Sequence, residues 1–167
     1  MANPNIEQMF EEQLRKLHTD YIDFYLFHCV NEETIGAYTA KSRRYMDFLL
    51  EQKAKGRIRH IGFSSHGKPA TLRRMLDWSD AFEFVQIQLN YLDWTMQDAK
   101  QQYEIITEHG LPVWVMEPVR GGRLASLGNK YDAMLKQAKP EWSVPAWAFQ
   151  RHERYGADPG QHRHLPE

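Results

Sequence analysis

Apolar residues enter this chain first at helical spacing. Ile6, Phe10, Leu14 and Leu17 recur among Glu, Gln, Lys and Arg, which predicts an amphipathic helix starting soon after Pro4. The period then changes. Tyr21-Ile22-Asp23-Phe24-Tyr25-Leu26-Phe27-His28 is a run of aromatic and β-branched residues, read as a buried parallel strand that ends in a histidine. A polar loop, Asn31 to Thr39, leads to a second helix. There Tyr45, Phe48, Leu49 and Ala54 are expected to face inward until Gly56 stops the helix, and the basic end, Lys53, Lys55 and Arg57, suits the negative pole of its dipole.

The alternation continues to the end of the apolar pattern. Ile58 to Phe63 reads as a second strand running into Ser64-Ser65-His66-Gly67, and Pro69 opens a helix with Leu72, Met75 and Leu76 on one face. Phe82 to Tyr91 reads as a third strand. A helix around Ala99 to His109 closes at Gly110, and Leu111 to Met116 is a fourth strand that runs into Glu117-Pro118-Val119-Arg120-Gly121-Gly122-Arg123. Parallel neighbours need a crossover long enough to hold a helix, so this order predicts the α/β class. One core is expected over residues 1–149, followed at 150–167 by a polar tail with almost no apolar face, expected to be disordered.

Composition narrows the function classes. The 167 residues are 42% hydrophobic and 13% aromatic, enough for one globular domain. With 21 basic and 22 acidic residues the formal net charge is −1, which supplies no field to gather nucleic acid or an anionic membrane. No apolar run approaches the roughly 20 residues of a membrane span, and Met1-Ala2-Asn3-Pro4 does not open a signal peptide. Cys29 is the only cysteine, so no internal disulfide forms and a cytoplasmic setting is expected; it reads as an inert core thiol. Neither a Walker loop nor Gly-x-Gly-x-x-Gly occurs, and His152, His162 and His164 lack the partners of a metal site, so no metal is expected.

In parallel α/β folds the ligand site lies beyond the carboxyl ends of the strands. That edge would carry His28, then Ser64 and Ser65, then Gln88 and Asn90, then Glu117 and Arg120. Each also has a structural reading. A histidine ending a strand can be a hydrogen-bonded framework residue, and Ser64-Ser65 can cap the following helix. Gln88 and Asn90 share a strand face, so one can serve packing and the other the site. Glu117 and Arg120 read as a solvated loop pair, and Arg120-Gly121-Gly122 as a weak signal for a backbone anion cradle.

Several motifs, in order and spacing, resemble the aldo-keto reductase family. Leu14-x-x-Leu17-x-Thr19-Asp20-Tyr21-Ile22-Asp23 running to Tyr25-Leu26-Phe27-His28 resembles the signature around that family's catalytic histidine, and Gly56 to Ser64 resembles its next strand. Val85 to Tyr91 and Val115 to Gly122 are similar to the two strands after that, so the likeness covers roughly residues 6–149. The resemblance implies a (β/α)8 TIM barrel, present here in part, that moves a hydride between NAD(P)H, usually NADPH, and the carbonyl carbon of a small aldehyde or ketone. It implies that His28 orients or protonates the carbonyl oxygen and that Ser64, Ser65 and Gln88 hold the nicotinamide carboxamide. It extends cofactor binding to Met116, Glu117, Pro118 and Arg120, with Met116 standing where many relatives stack an aromatic ring.

Departures from the family pattern shape the remaining expectations. The general-acid tyrosine of the family and its supporting lysine and aspartate have no matching positions here. A complete barrel takes about 250 residues, and the first three strands and the last are without counterparts, so the chain is expected to be truncated and impaired alone. A non-catalytic remnant, kept as a cofactor-binding, regulatory or assembly module, is the alternative. Val115-Met116-Glu117-Pro118 with Gly121-Gly122 also resembles an iron–sulfur branch of the family, but one cysteine cannot hold a cluster. Open sheet edges would need cover, so a homo-oligomer or a completing partner chain is expected.

Overall fold

The computed structural model describes residues 5–149. Helix α1 (Ile6–Leu17) is capped by Asn5, whose Oδ1 accepts from the backbone N–H groups of Glu7 and Gln8, and it ends where His18 takes a left-handed conformation. Strand β1 (Ile22–Val30) follows, then the short helix α2 (Ile35–Tyr38), α3 (Tyr45–Ala54), β2 (Ile58–Ser65), α4 (Pro69–Trp78) and β3 (Phe84–Gln88). The chain continues with α5 (Asp93–Met96), α6 (Ala99–Glu108), β4 (Val113–Met116) and α7 (Asn129–Ala138). Residues 144–149 are helical. The tail expected at 150–167 lies outside the described residues.

The four strands form one sheet in sequence order, β1-β2-β3-β4, with parallel pairing between helices, so the α/β expectation holds. Residues contact one another in two compact units. Among the described residues, one comprises 5–87 with 101–114 and the other 88–100 with 115–149.

In the first unit an apolar core does the packing. Phe27, Phe63, Trp78 and Phe82 form an edge-to-face cluster, with Phe63 and Phe82 centroids 4.9 Å apart. Phe24, Phe84 and Trp114 form a second cluster at 4.5 to 5.6 Å. Aromatic pairs at these separations add to simple area burial. Gly62 makes the β2–β3 approach possible: a Cβ there would stand 2.5 Å from the Phe84 carbonyl oxygen. Glu83 ties this unit together, its carboxylate pairing with Lys53 and accepting from the Ile61 N–H while His60 Nδ1 lies 3.1 Å away. Burial opposes ionisation of Glu83, but Lys53, the Ile61 N–H and His60 outweigh it and lower its pKa.

Several sequence expectations shift here. Leu17 is 63% exposed, because α1 ends at it and it borders an open groove beside β1. The inward face of α3 is Met46, Leu49 and Gln52; Ala54 is exposed, and Gln52 is retained inside by accepting from Arg57 Nη1 at 3.0 Å. The loop after β1 contains α2, whose Ile35 is buried. Strand β3 stops at Gln88, three residues before the expected end, because Asn90 turns the chain into α5. Helix α7 buries none of its residues, so no apolar stripe announces it.

Candidate functional site

Chemistry-bearing residues of the first unit gather at the carboxyl ends of β1 and β2. His28 does not end its strand as expected; β1 runs on to Val30 through an irregularity between Phe27 and Val30. Cys29 adopts φ +58, a left-handed conformation, and so drops out of the ladder. Its N–H donates to Ser64 Oγ at 2.9 Å, its carbonyl accepts from Thr34 Oγ1 at 2.8 Å, and the Val30 carbonyl accepts from the His66 N–H at 2.8 Å. These three backbone groups of the irregularity are thus served within the protein.

His28 is exposed and its ring is free of side-chain hydrogen bonds among the described residues. Its carbonyl accepts from Tyr38 Oη at 2.6 Å, which anchors the backbone and not the imidazole. The ring faces that of His66, centroids 6.1 Å apart at 65°. Burial first, and the neighbouring His28 second, hold His66 below the ordinary histidine pKa.

Ser64 and Ser65 are buried, 1% and 3% exposed, and both are engaged within the protein. Ser64 Oγ accepts from Cys29 and keeps its proton to donate, whereas Ser65 Oγ donates to Gln102 Oε1 at 3.2 Å and keeps lone pairs to accept. Neither caps α4. That role falls to Glu32, which accepts from the Lys68 N–H and Thr71 Oγ1, each at 2.8 Å; those two bonds lower its pKa, the Lys68 bond foremost. Cys29 is half-buried, with Asn31 Nδ2 3.6 Å from its sulfur.

In the second unit the residues at the ends of β3 and β4 converge on one the sequence did not announce. Asp93 is fully buried, and its Oδ2 accepts from Gln88 Nε2 at 2.7 Å and from Asn90 Nδ2 at 2.6 Å. Arg120 Nη2 stands 3.6 Å from Asp93 Oδ1, so Arg120 pairs with this buried acid and not with the exposed Glu117 of the expected loop pair. In the loop after β4, Glu117 and then the consecutive Arg120, Gly121 and Gly122 have positive φ. Two of the N–H groups expected to cradle an anion are already spent, Arg120 on the Glu117 carbonyl and Gly122 on the Val119 carbonyl, each at 3.0 Å. Met116 and Pro118 are half-buried. The spacing Asn90-x-x-Asp93, an Asx side chain three residues before an acid, is the signal that could have found Asp93: Asn90 Oδ1 accepts from the Leu92 and Asp93 N–H groups.

Among the described residues no group of three or more His, Cys, Asp or Glu side chains is placed to hold a metal ion, and no helix is long and apolar enough to cross a membrane.

The family model described as the Aldo/keto reductase family matches residues 1–157. The chain belongs to the aldo/keto reductase family. Among curated proteins none matches by sequence. Among solved structures, aldo-keto reductase AKR11C1 from Bacillus halodurans is similar with a TM-score of 0.69 and 24% identity, over 90% of this chain and 51% of that one. An aldo/keto reductase from Brucella melitensis matches with a TM-score of 0.62 and 25% identity, over 90% and 53%. The glycerol dehydrogenase AKR11B4 from Gluconobacter oxydans matches with a TM-score of 0.66 and 18% identity, over 90% and 52%. The chain therefore spans about half the length of these solved relatives. Its parallel sheet with alternating helices is the corresponding part of an aldo/keto reductase α/β barrel.

Proposed function

We propose that the chain is the hydride-transfer part of an NAD(P)H-dependent aldo-keto reductase acting on a small aldehyde or ketone. The observation that carries this reading is His28, an exposed imidazole near the carboxyl end of a parallel strand, held by its backbone while its ring nitrogens remain available. Positioned proton transfer of this kind contributes about 10²–10⁴-fold to a rate. Reduced nicotinamide, when bound, supplies the hydride. The chain's residues do the rest: His28 orients the carbonyl oxygen or gives it a proton, the Ser64 hydroxyl offers a donor, and Ser65 offers lone pairs. In the second unit Gln88 offers an acceptor, Met116 and Pro118 offer apolar surface, and Glu117 lies between them in sequence with Arg120 two residues on. Within the first unit the Ser64 donor and the Ser65 lone pairs fit a carboxamide, which carries both an acceptor and a donor.

The test is an isothermal titration of NADPH, with NADH beside it, into the purified chain, followed by His28→Ala. Micromolar binding by the wild type and lost turnover with the fold intact in the variant support the reading. A folded wild type that gives no heat with either nucleotide sinks it.

A second reading, assembly, is favoured by the outer edge of β1. Among the described residues β1 pairs only with β2, and beside it lies a groove of about 630 Å³ bordered by Met9, Leu17, Ile22, Tyr25, Tyr38 and Leu49. Its fitting occupant is an apolar strand of a second polypeptide laid parallel to β1, since unpaired backbone groups and uncovered apolar faces recruit such strands. Sedimentation of the chain alone checks this: a stable monomer argues against a self-made partner, and a symmetric dimer against a foreign one.

A further inference from the structure

Asp93 opens α5 with a fully buried carboxylate, and nothing in the proposed reaction uses it. A carboxylate can only accept hydrogen bonds, so an amide beside it must present its nitrogen. Gln88 does so, Nε2 donating to Asp93 Oδ2 at 2.7 Å. The other end of that amide, Oε1, is thereby turned from the acid, and it takes no donor among the described residues.

Asn90 differs from Gln88. Its Nδ2 donates to Asp93 Oδ2 and to the Glu117 carbonyl at 3.1 Å, and its Oδ1 accepts from the Leu92 and Asp93 N–H groups at 3.1 and 2.9 Å. Two donors and two lone pairs are all spent, so Asn90 anchors the acid and has nothing to offer a ligand. Asp93 Oδ1 accepts no hydrogen bond and is approached by Arg120 Nη2 at 3.6 Å. One carboxylate thus holds two of the residues assigned to the cofactor.

We propose that Asp93 is a positioning residue that fixes the Gln88 amide so that Oε1 faces a ligand N–H group, the carboxamide nitrogen of a nicotinamide, and that it holds the Arg120 side chain to the same turn. This rests on the reading of the chain as an NAD(P)H binder. The selectivity is chemical: a ligand amide satisfies Oε1, whereas a methyl ketone in its place leaves Oε1 without a donor, and a polar group left unpaired on binding is where discrimination arises.

The experiment is a pair of binding titrations on the full chain, NADPH against its 3-acetylpyridine analogue, in which a methyl ketone replaces the carboxamide. The wild type is expected to prefer NADPH about three- to tenfold, the worth of one hydrogen bond. In Asp93→Asn the new amide can present nitrogen or oxygen to Gln88, so the ratio falls toward one while the analogue's own affinity holds within about twofold. A merely structural role would weaken both ligands together. A variant that keeps the wild-type ratio overturns the inference. A wild type that binds both equally overturns it and leaves the cofactor reading standing, whereas a wild type that binds neither overturns both. The wild type alone gives a second measurement should Asp93→Asn fail to fold: the Gln88 13Cδ resonance shifts when NADPH binds and stays in place with the analogue. Bound NADPH without that shift overturns the inference.

Discussion

In the first unit the largest fully buried side chains include Phe10, Phe63, Phe84, Leu49, Ile58 and Ile61. In the second, the described buried residues are Leu89, Ala99, Leu124 and Ala148 together with the polar Asn90 and Asp93. Apolar burial is non-directional and scales with area, so many side chains share the first unit's stability. A hydrogen-bonded acid is directional, and each missing partner leaves another group buried and unsatisfied. The difference teaches where each unit is vulnerable: the first to lost volume, the second to lost partners.

The largest expected effect tests the first half of that comparison. Phe63→Ala removes a fully buried ring from between Phe82 and its neighbours and should cost about 3–5 kcal/mol, read as a lower urea midpoint. A loss under about 1 kcal/mol would mean that the aromatic cluster is not the seat of stability. Next comes Asn90→Ala, which strips two donors and two acceptors from the Asp93 turn and should cost about 1–3 kcal/mol. Hydrogen exchange should then quicken in residues 88–100 while β1 and β2 keep their protection; uniform quickening would erase the distinction between the units.

Acid should soften the first unit, where the depressed acidic groups and His66 lie. His66 has a folded pKa below its ordinary 6.5, so the unfolded chain binds protons more readily there; its contribution is present above pH 6.5 and is lost as pH falls through the depressed value. Glu32 and Glu83, held below 4.5, add a second loss as pH falls through their own lowered values. Thermal melts across this range should show both declines, with His66→Gln removing the upper one and Glu83→Gln reducing the lower. An unchanged melting temperature down to pH 4 would contradict the sign. The smallest effect is expected on α7. Tyr131→Gln alters a side chain 55% exposed and should change stability by no more than about 0.5 kcal/mol; a larger loss would reveal a partner for that surface.

How far the chain could be read in advance follows the same division. Leu72, Met75 and Leu76 announce α4 because an apolar stripe is the direct imprint of a core, and all three are buried. The α/β alternation was legible for that reason. Helix α5 has four residues, too few to show a period, and α7 has no buried face to show one. The strand ends were legible as polar residues, but their partners were not. Ser64 bonds across to Cys29, and Arg120 reaches Asp93 instead of Glu117, because hydrogen bonds between distant residues leave no periodic trace. Asn90 and Gln88 looked alike on the strand; only the count of filled donors and lone pairs separates them.

The left-handed turn at Cys29 has one more consequence. Phe27 and Val30 are both buried although three residues apart, an odd separation that a regular strand, with its two-residue alternation, assigns to opposite faces. The slip of half a wavelength at Cys29 brings Val30 back to the core, while ordinary alternation from the inward-facing Phe27 turns His28 outward. Its exposure is therefore written into the rhythm of the backbone and not into the polarity of imidazole. A leucine at position 28 would stand in the same water.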